Sequence, residues 1–317
     1  MEIINTSQQK SALFRKILKL MGNRFEISVV DADEKRAGVC IDAAVAEIRR
    51  IETLLTTYNE SSLTNKVNRY AGISPVEVGP EFFYLVKRSK RISEITQGAF
   101  DITYGSIDKK LWNFDKEMTS LPDPDTARDM IRLINYRNVV LDEQHYTVFL
   151  KEKGMRIGFG GIGKGYAAER AKQILLDHDV KSGIVNAAGD LTTWGYQPDG
   201  KPWTIGIAAP DDTRQIFSHL DITNTSVATS GNYEKFILVN GKKYSHTIDP
   251  KTGLPVTGIK SVTIISPNAE LADAMATPVM IMGTKAGLNM INQIKGMACI
   301  IIDDNDKLFT SKNIQIK

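Results

Sequence analysis

Asp273 and Thr277, in Ala272-Asp273-Ala274-Met275-Ala276-Thr277, are four residues apart and so share one face of a helix. Carboxylate and hydroxyl oxygens are hard ligands suited to a small divalent cation such as magnesium. The residues around them (Leu271, Ala274, Met275, Ala276, Val279, Met280) are apolar. A polar pair in a largely buried helix needs partners, and a metal is one. A turn cap at Asp273 and a back-bond from Thr277 to the helix would satisfy the same pair without any ligand.

Ile157-Gly158-Phe159-Gly160-Gly161-Ile162-Gly163-Lys164-Gly165-Tyr166 matches two nucleotide-binding patterns incompletely. Gly158, Gly160 and Gly163 fit a G-x-G-x-x-G turn, but the preceding residues 151–156 are polar and turn-like where that motif needs an apolar strand. Gly158 to Lys164 fit the start of a P-loop, but Gly165 stands where Ser or Thr must hold magnesium. So many glycines beside a lysine still suggest backbone pressed against a phosphate-bearing ligand; a glycine turn packing a helix on a sheet is the bland alternative.

Tyr244-Ser245-His246-Thr247-Ile248-Asp249-Pro250-Lys251-Thr252-Gly253 reads as a strand ending in a turn, with His246 and Asp249 at its rim. Of four histidines, His145 falls in a hairpin turn, His178 at a helix end and His219 in a strand; only His246 lies among site-like residues. A histidine there could donate to a phosphate oxygen or take a proton from a hydroxyl nucleophile. Ala228-Thr229-Ser230-Gly231-Asn232 is another strand end, and Ser230 lacks the G-x-S-x-G elbow of a nucleophilic hydrolase. Asn186 to Asp190 and Gly98 to Asp101 form similar turns.

The elements that must position these turns come in blocks. A strand is expected over 21–30 and a helix over 35–57 with Val39, Ala43, Ala46, Ile48, Ile51 and Leu55 at helical spacing. Helices are expected over 80–96, 126–133 and 164–178, with a hairpin over 139–150. Strands follow at 183–186, 191–194, 203–208, 226–229, 234–239 and 259–265. Helices over 270–281 and 285–294 then precede a final hairpin, 298–302 and 307–310. Segregated strands and helices argue for one α+β domain of mixed and antiparallel sheets with two intimately packed halves, not a doubly wound sheet. Residues 1–20 are expected as a lead-in, amphipathic and helical over 10–20, and 311–317 as a tail.

Forty basic against 37 acidic residues leave a net charge of +3, and no basic run is interleaved with aromatics, so nucleic acid is not an expected partner. Cys40 and Cys299 have no C-x-x-C companion and read as two buried thiols. No apolar run approaches the ~18 residues of a membrane span, and the N-terminus shows neither a signal-peptide core nor a lipobox cysteine, which points to the cytoplasm.

Met21-Gly22, TQGAFDIT (96–103), GGIGKGY (160–166), 186–190, TSGNYE (229–234), HTIDPKTG (246–253) and 272–277 occur in this order. Together they resemble the FAD:protein FMN transferase (ApbE) family over residues 21–310. The resemblance implies a single T-fold-like α+β domain that uses magnesium and FAD. FMN would be attached through a phosphoester bond to a threonine or serine of a partner protein, with release of AMP. Hydrolysis of FAD to FMN and AMP at the same site, and FAD binding without chemistry, are the alternatives. Met21, Tyr58, Ala99, Phe100, Asp101, Lys164, Ser230 and Thr247 match positions expected to hold FAD. Gly161 (through its carbonyl), Asp273 and Thr277 match the metal site; His246 and Asp249 match positions beside the reacting phosphate. The family's acid before the paired glycines is replaced by Gly158, and its Gly-Gly-Asp turn by Ala188-Gly189-Asp190. Family habit would place the protein in the cell envelope.

Overall fold

A computed structural model describes residues 11–107, 120–208, 216–232, 236–239, 242–245 and 247–314. Its spine is an eight-stranded sheet, antiparallel at every junction. The strand order is β1 (Ala12–Leu20), β2 (Asn23–Asp31), β6 (Gly183–Ala187), β7 (Asp190–Trp194), β10 (Ser226–Gly231), β13 (Ile259–Ser266), β14 (Ala298–Asp303), β15 (Leu308–Thr310). A small sheet orders β3 (Val76–Glu77), β5 (Thr147–Leu150) and β4 (Val139–Asp142). Among the described residues two further strand pairs are β8 (Trp203–Ala208) with β9 (Ile216–Ile222), and β11 (Phe236–Val239) with β12 (Lys242–Ser245). The α+β expectation holds.

Three helices cover the sheet. α1 (Glu34–Leu55) packs on β1 and β2, α5 (Gly163–Asp177) on β6 and β7, and α6 (Ala269–Ile291) on β10 and β13. α5 is the middle helix, in contact with both α1 and α6, so its N-terminus lies where the three meet. The Asp33 carboxylate caps α1 by accepting the Lys35 and Arg36 N–H groups at 2.8 and 3.3 Å. α1 buries Ala37, Cys40, Ile41, Ala44, Val45, Ile48, Ile51 and Leu55, a stripe at helical spacing. Of the expected stripe, Ile48, Ile51 and Leu55 are buried, whereas Val39 and Ala46 face solvent and Ala43 is half-buried; Ala37, Cys40, Ile41, Ala44 and Val45 take the core face of the first half.

α2 (Leu63–Arg69) starts at Ser62, whose hydroxyl accepts the Asn65 N–H at 3.0 Å. α3 (Gly79–Ile95) carries Pro80 in its first turn, and α4 (Pro124–Ile131) is capped by Asp123. The helical reading of residues 10–20 is overturned: residues 12–20 are β1, paired along their whole length with β2. Phe14 and Leu18 turn toward the core and Leu13 and Ile17 outward, an alternation that the short apolar-basic pattern also permits. The expected break between two C-terminal helices is real. α6 is interrupted at Gly283, whose backbone is non-helical at φ 80°, ψ 167°. Among the described residues no helix is long and apolar enough to cross a membrane.

Candidate active site

The glycine segment leaves the core at Phe159 and enters α5 at Gly163, and its glycines serve different ends. A Cβ on Gly165 would lie 2.2 Å from the Ala269 carbonyl oxygen and 2.7 Å from the Asp273 Cβ, so the absent side chain lets α5 touch α6. At Gly163 a Cβ would lie 3.7 Å from the Met21 Cε and 3.8 Å from the Leu55 Cδ1. Met21 reaches this point from the β1–β2 turn, where it and Gly22 both have positive φ (50° and 75°), as a tight two-residue hairpin turn requires. A Cβ on Gly161 would face the Phe100 ring at 3.5 Å. Gly158, by contrast, is not crowded: an added Cβ would come no nearer than 4.0 Å to the Gly105 Cα.

No side chain of its own caps α5. Asp273, on the neighbouring helix, does so instead, its Oδ2 accepting the Gly165 N–H at 2.8 Å. Asp273 is buried, and burial raises its carboxyl above the usual range against the pull of Lys164 and the α5 amides. One turn along α6, the Thr277 hydroxyl lies 3.4 Å from the Ser230 hydroxyl at the end of β10. Lys164 extends to Asp190, the first residue of β7, and forms an ion pair with it. Burial and the nearby Asp273 carboxylate push Asp190 up to about 7, with Lys164 pulling the other way. An ammonium paired with one buried acid therefore lies within electrostatic reach of a second, beside two hydroxyls. Such a hard-oxygen, electron-rich donor set fits magnesium. Among the described residues no cluster of three His, Cys, Asp or Glu side chains competes as a metal site.

Of the other expected residues, Phe100 presents its ring to Gly161. Ala99 and Phe100 follow a turn with positive φ at Gln97 and Gly98 (52° and 84°), fixed by the Phe100 N–H donating to the Thr96 hydroxyl at 3.0 Å. The Asp101 carboxylate is engaged in structure, accepting the Thr103 N–H at 2.8 Å, the Thr103 hydroxyl at 2.6 Å and the Tyr136 N–H at 3.0 Å. Burial nonetheless pushes its carboxyl upward. Tyr58 follows the C-terminus of α1 and is 99% exposed. No packing accounts for a tyrosine held so far into solvent.

The turn over 247–256 packs against α4. Ile248 is buried in a small cluster with Ile107, Met130 and Ile131, and a Cβ on Gly253 would lie 2.2 Å from the Ala127 carbonyl oxygen. Thr247 is buried, its N–H donating to the Ser245 hydroxyl at 3.1 Å. Asp249 folds back on its own turn, accepting the Lys251 N–H at 2.9 Å, and no described hydrogen bond joins it to Asp273 or Lys164. His246 lies outside the described residues. Sequence reasoning gives Asp190 no role; the one signal was an acid at a strand-end turn.

The ApbE family model matches residues 21–301, from Met21 past Thr277. A protein of Klebsiella pneumoniae (strain 342) named FAD:protein FMN transferase is 31% identical over 299 residues, covering 94% of this chain and 89% of its own length. The ApbE protein of Thermotoga maritima superposes with a TM-score of 0.85 at 30% identity, covering 95% of this chain and 97% of that one. The apo flavinyl transferase ApbE of Pseudomonas stutzeri shares the fold with a TM-score of 0.84 at 24% identity, over 97% of both chains. The stretch that these matches cover takes in the α5 N-terminus, Asp190 and the Asp273–Thr277 face together, and on that agreement of sequence and fold the chain belongs to the ApbE family.

Proposed function

We propose that the chain is a magnesium-dependent FAD:protein FMN transferase, which joins FMN to a threonine or serine hydroxyl of an acceptor protein and releases AMP. The transferase class follows from the relatives, which are named FAD:protein FMN transferase. The observation that carries the reading is the buried Asp273 carboxylate, one turn from Thr277, set against the N-terminus of α5.

In this reading the acceptor hydroxyl oxygen bonds to the FMN-side phosphorus as the bond from that phosphorus to the AMP oxygen breaks. Asp273, Thr277 and the Gly161 carbonyl would hold magnesium, which when bound supplies positive charge that offsets the pyrophosphate. Lys164 faces the same region with an ammonium that complements phosphate oxygens. Met21, Phe100 and Tyr58 offer apolar and aromatic surface to the flavin and adenine rings, with Ala99, Asp101, Ser230 and Thr247 around them. His246 is the candidate acceptor of the hydroxyl proton, a role that rests on its place in the HTIDPKTG motif. Asp249 is the less favoured acceptor, because its carboxylate already binds the Lys251 amide.

Asp273→Ala is expected to lower magnesium-dependent FMN transfer at least about 100-fold, the scale of losing a group that stabilises transition-state charge. Covalent flavin on the acceptor, read by in-gel fluorescence of folded variant and parent, measures it. Undiminished transfer would sink the metal assignment.

A further inference from the structure

Lys164 has two buried acids within its electrostatic reach, and among the described residues the one it pairs with is Asp190, not Asp273. We propose that Asp190 is a positioning residue that holds the Lys164 ammonium away from Asp273 and so keeps the Asp273 carboxylate open to a divalent cation. The inference rests on the reading of Asp273 as a magnesium ligand.

The two partners differ in how firmly they are held. Asp190 is fixed on several sides. It closes the β6–β7 hairpin opposite Ala187, after a turn in which Ala188 and Gly189 both have positive φ (57° and 100°). The Asn186 side chain pins that turn by accepting the Gly189 N–H at 2.8 Å. Asp190 is also buried to 3% exposure. Lys164, by contrast, is the second residue of α5 and sends a flexible four-carbon stem into the site.

The residue after Lys164 donates its N–H to Asp273, so the lysine starts its side chain beside that carboxylate. A half-buried ammonium and a buried carboxylate attract more strongly than they would in open water. With Asp190 neutral, the attraction between Lys164 and Asp273 would no longer be opposed from the Asp190 side, and an ion pair there would occupy the oxygens that a cation needs. Stability alone explains the part-buried Asp190–Lys164 pair poorly, because desolvation of the buried carboxylate offsets much of the attraction.

A double-mutant cycle on the cation-free full-length protein, without FAD or acceptor, tests this. Manganese(II) serves as the probe, with binding followed by electron paramagnetic resonance. Asp190→Asn, which is nearly isosteric, should weaken manganese binding by about tenfold or more, the range found when a residue orienting a metal ligand is changed. In the Lys164→Met background the same substitution should change affinity less than about twofold, because no ammonium remains to invade the site. Equal factors in the two backgrounds would overturn the role of Asp190 and leave only a general effect of its charge. Failure of the unmodified protein to bind manganese would overturn this role together with the metal reading. Circular dichroism checks each variant's fold, and Asp190→Ser serves the same cycle if Asp190→Asn does not fold.

Discussion

At Gly165 the requirement is packing, and this explains why the segment resembles a P-loop without being one. A serine or threonine there would drive its Cβ into the Ala269 carbonyl, since even the Cβ of an alanine would lie 2.2 Å from that oxygen. In the proposed reading the hydroxyl for a cation comes instead from Thr277 on α6. Gly165→Ala is therefore expected to push α5 and α6 apart and destabilise the protein by about 1–3 kcal/mol, as overpacked contacts do. It should also weaken cation binding, because Asp273 loses its Gly165 partner. An unchanged urea midpoint would show that the helices yield without strain. Asp273 and Thr277 were legible in the sequence because helical spacing is local. Asp190 was not, because only the pairing of β6 with β7 under α5 brings it to Lys164.

Among the elements, most were legible and the exceptions share a cause. Residues 12–20 carry an apolar-basic pattern that either period can accommodate, and pairing with the edge of β2 decides for a strand. The break in α6 was legible because Gly283 lies between two helical runs. Its φ and ψ, 80° and 167°, fall in a region open almost only to glycine, and nothing would lie within 4 Å of an added Cβ. Gly283→Ala should thus cost about 1–3 kcal/mol through backbone strain alone, read as a lower midpoint in urea. No loss would mean that α6 can straighten. Less legible is the network that locks the helix layer: Arg50 of α1 binds Glu47 at 2.8 Å and Glu81 of α3 at 2.7 Å. Arg170 and Tyr166 of α5 reach those same carboxylates at 3.1 and 2.6 Å. No spacing rule joins residues of three helices.

On the scale of the whole molecule, one antiparallel sheet under α1, α5 and α6 gathers at the α5 N-terminus residues drawn from Met21 to Thr277. The two cysteines take no part: both are free and buried, and burial pushes the Cys299 thiol up to about 12. Raised in the fold, that thiol stays neutral well above pH 7, so the stabilisation linked to it is complete below the ordinary thiol range and is lost as the pH climbs from there to about 12. Both thiols should resist a disulfide reagent at pH 8 until denaturant is added; fast reaction of the native protein would contradict their burial. FMN transfer by this protein is tested by following every product of FAD. The protein, FAD, magnesium and an acceptor bearing a threonine or serine flavinylation site are incubated, and intact-mass spectrometry is run beside nucleotide chromatography. An FMN-sized adduct on the acceptor with an equal yield of AMP is expected, both abolished by chelation of magnesium. Free FMN with AMP and no adduct would make the protein a hydrolase, and unchanged FAD would make it a binder; either result contradicts the account.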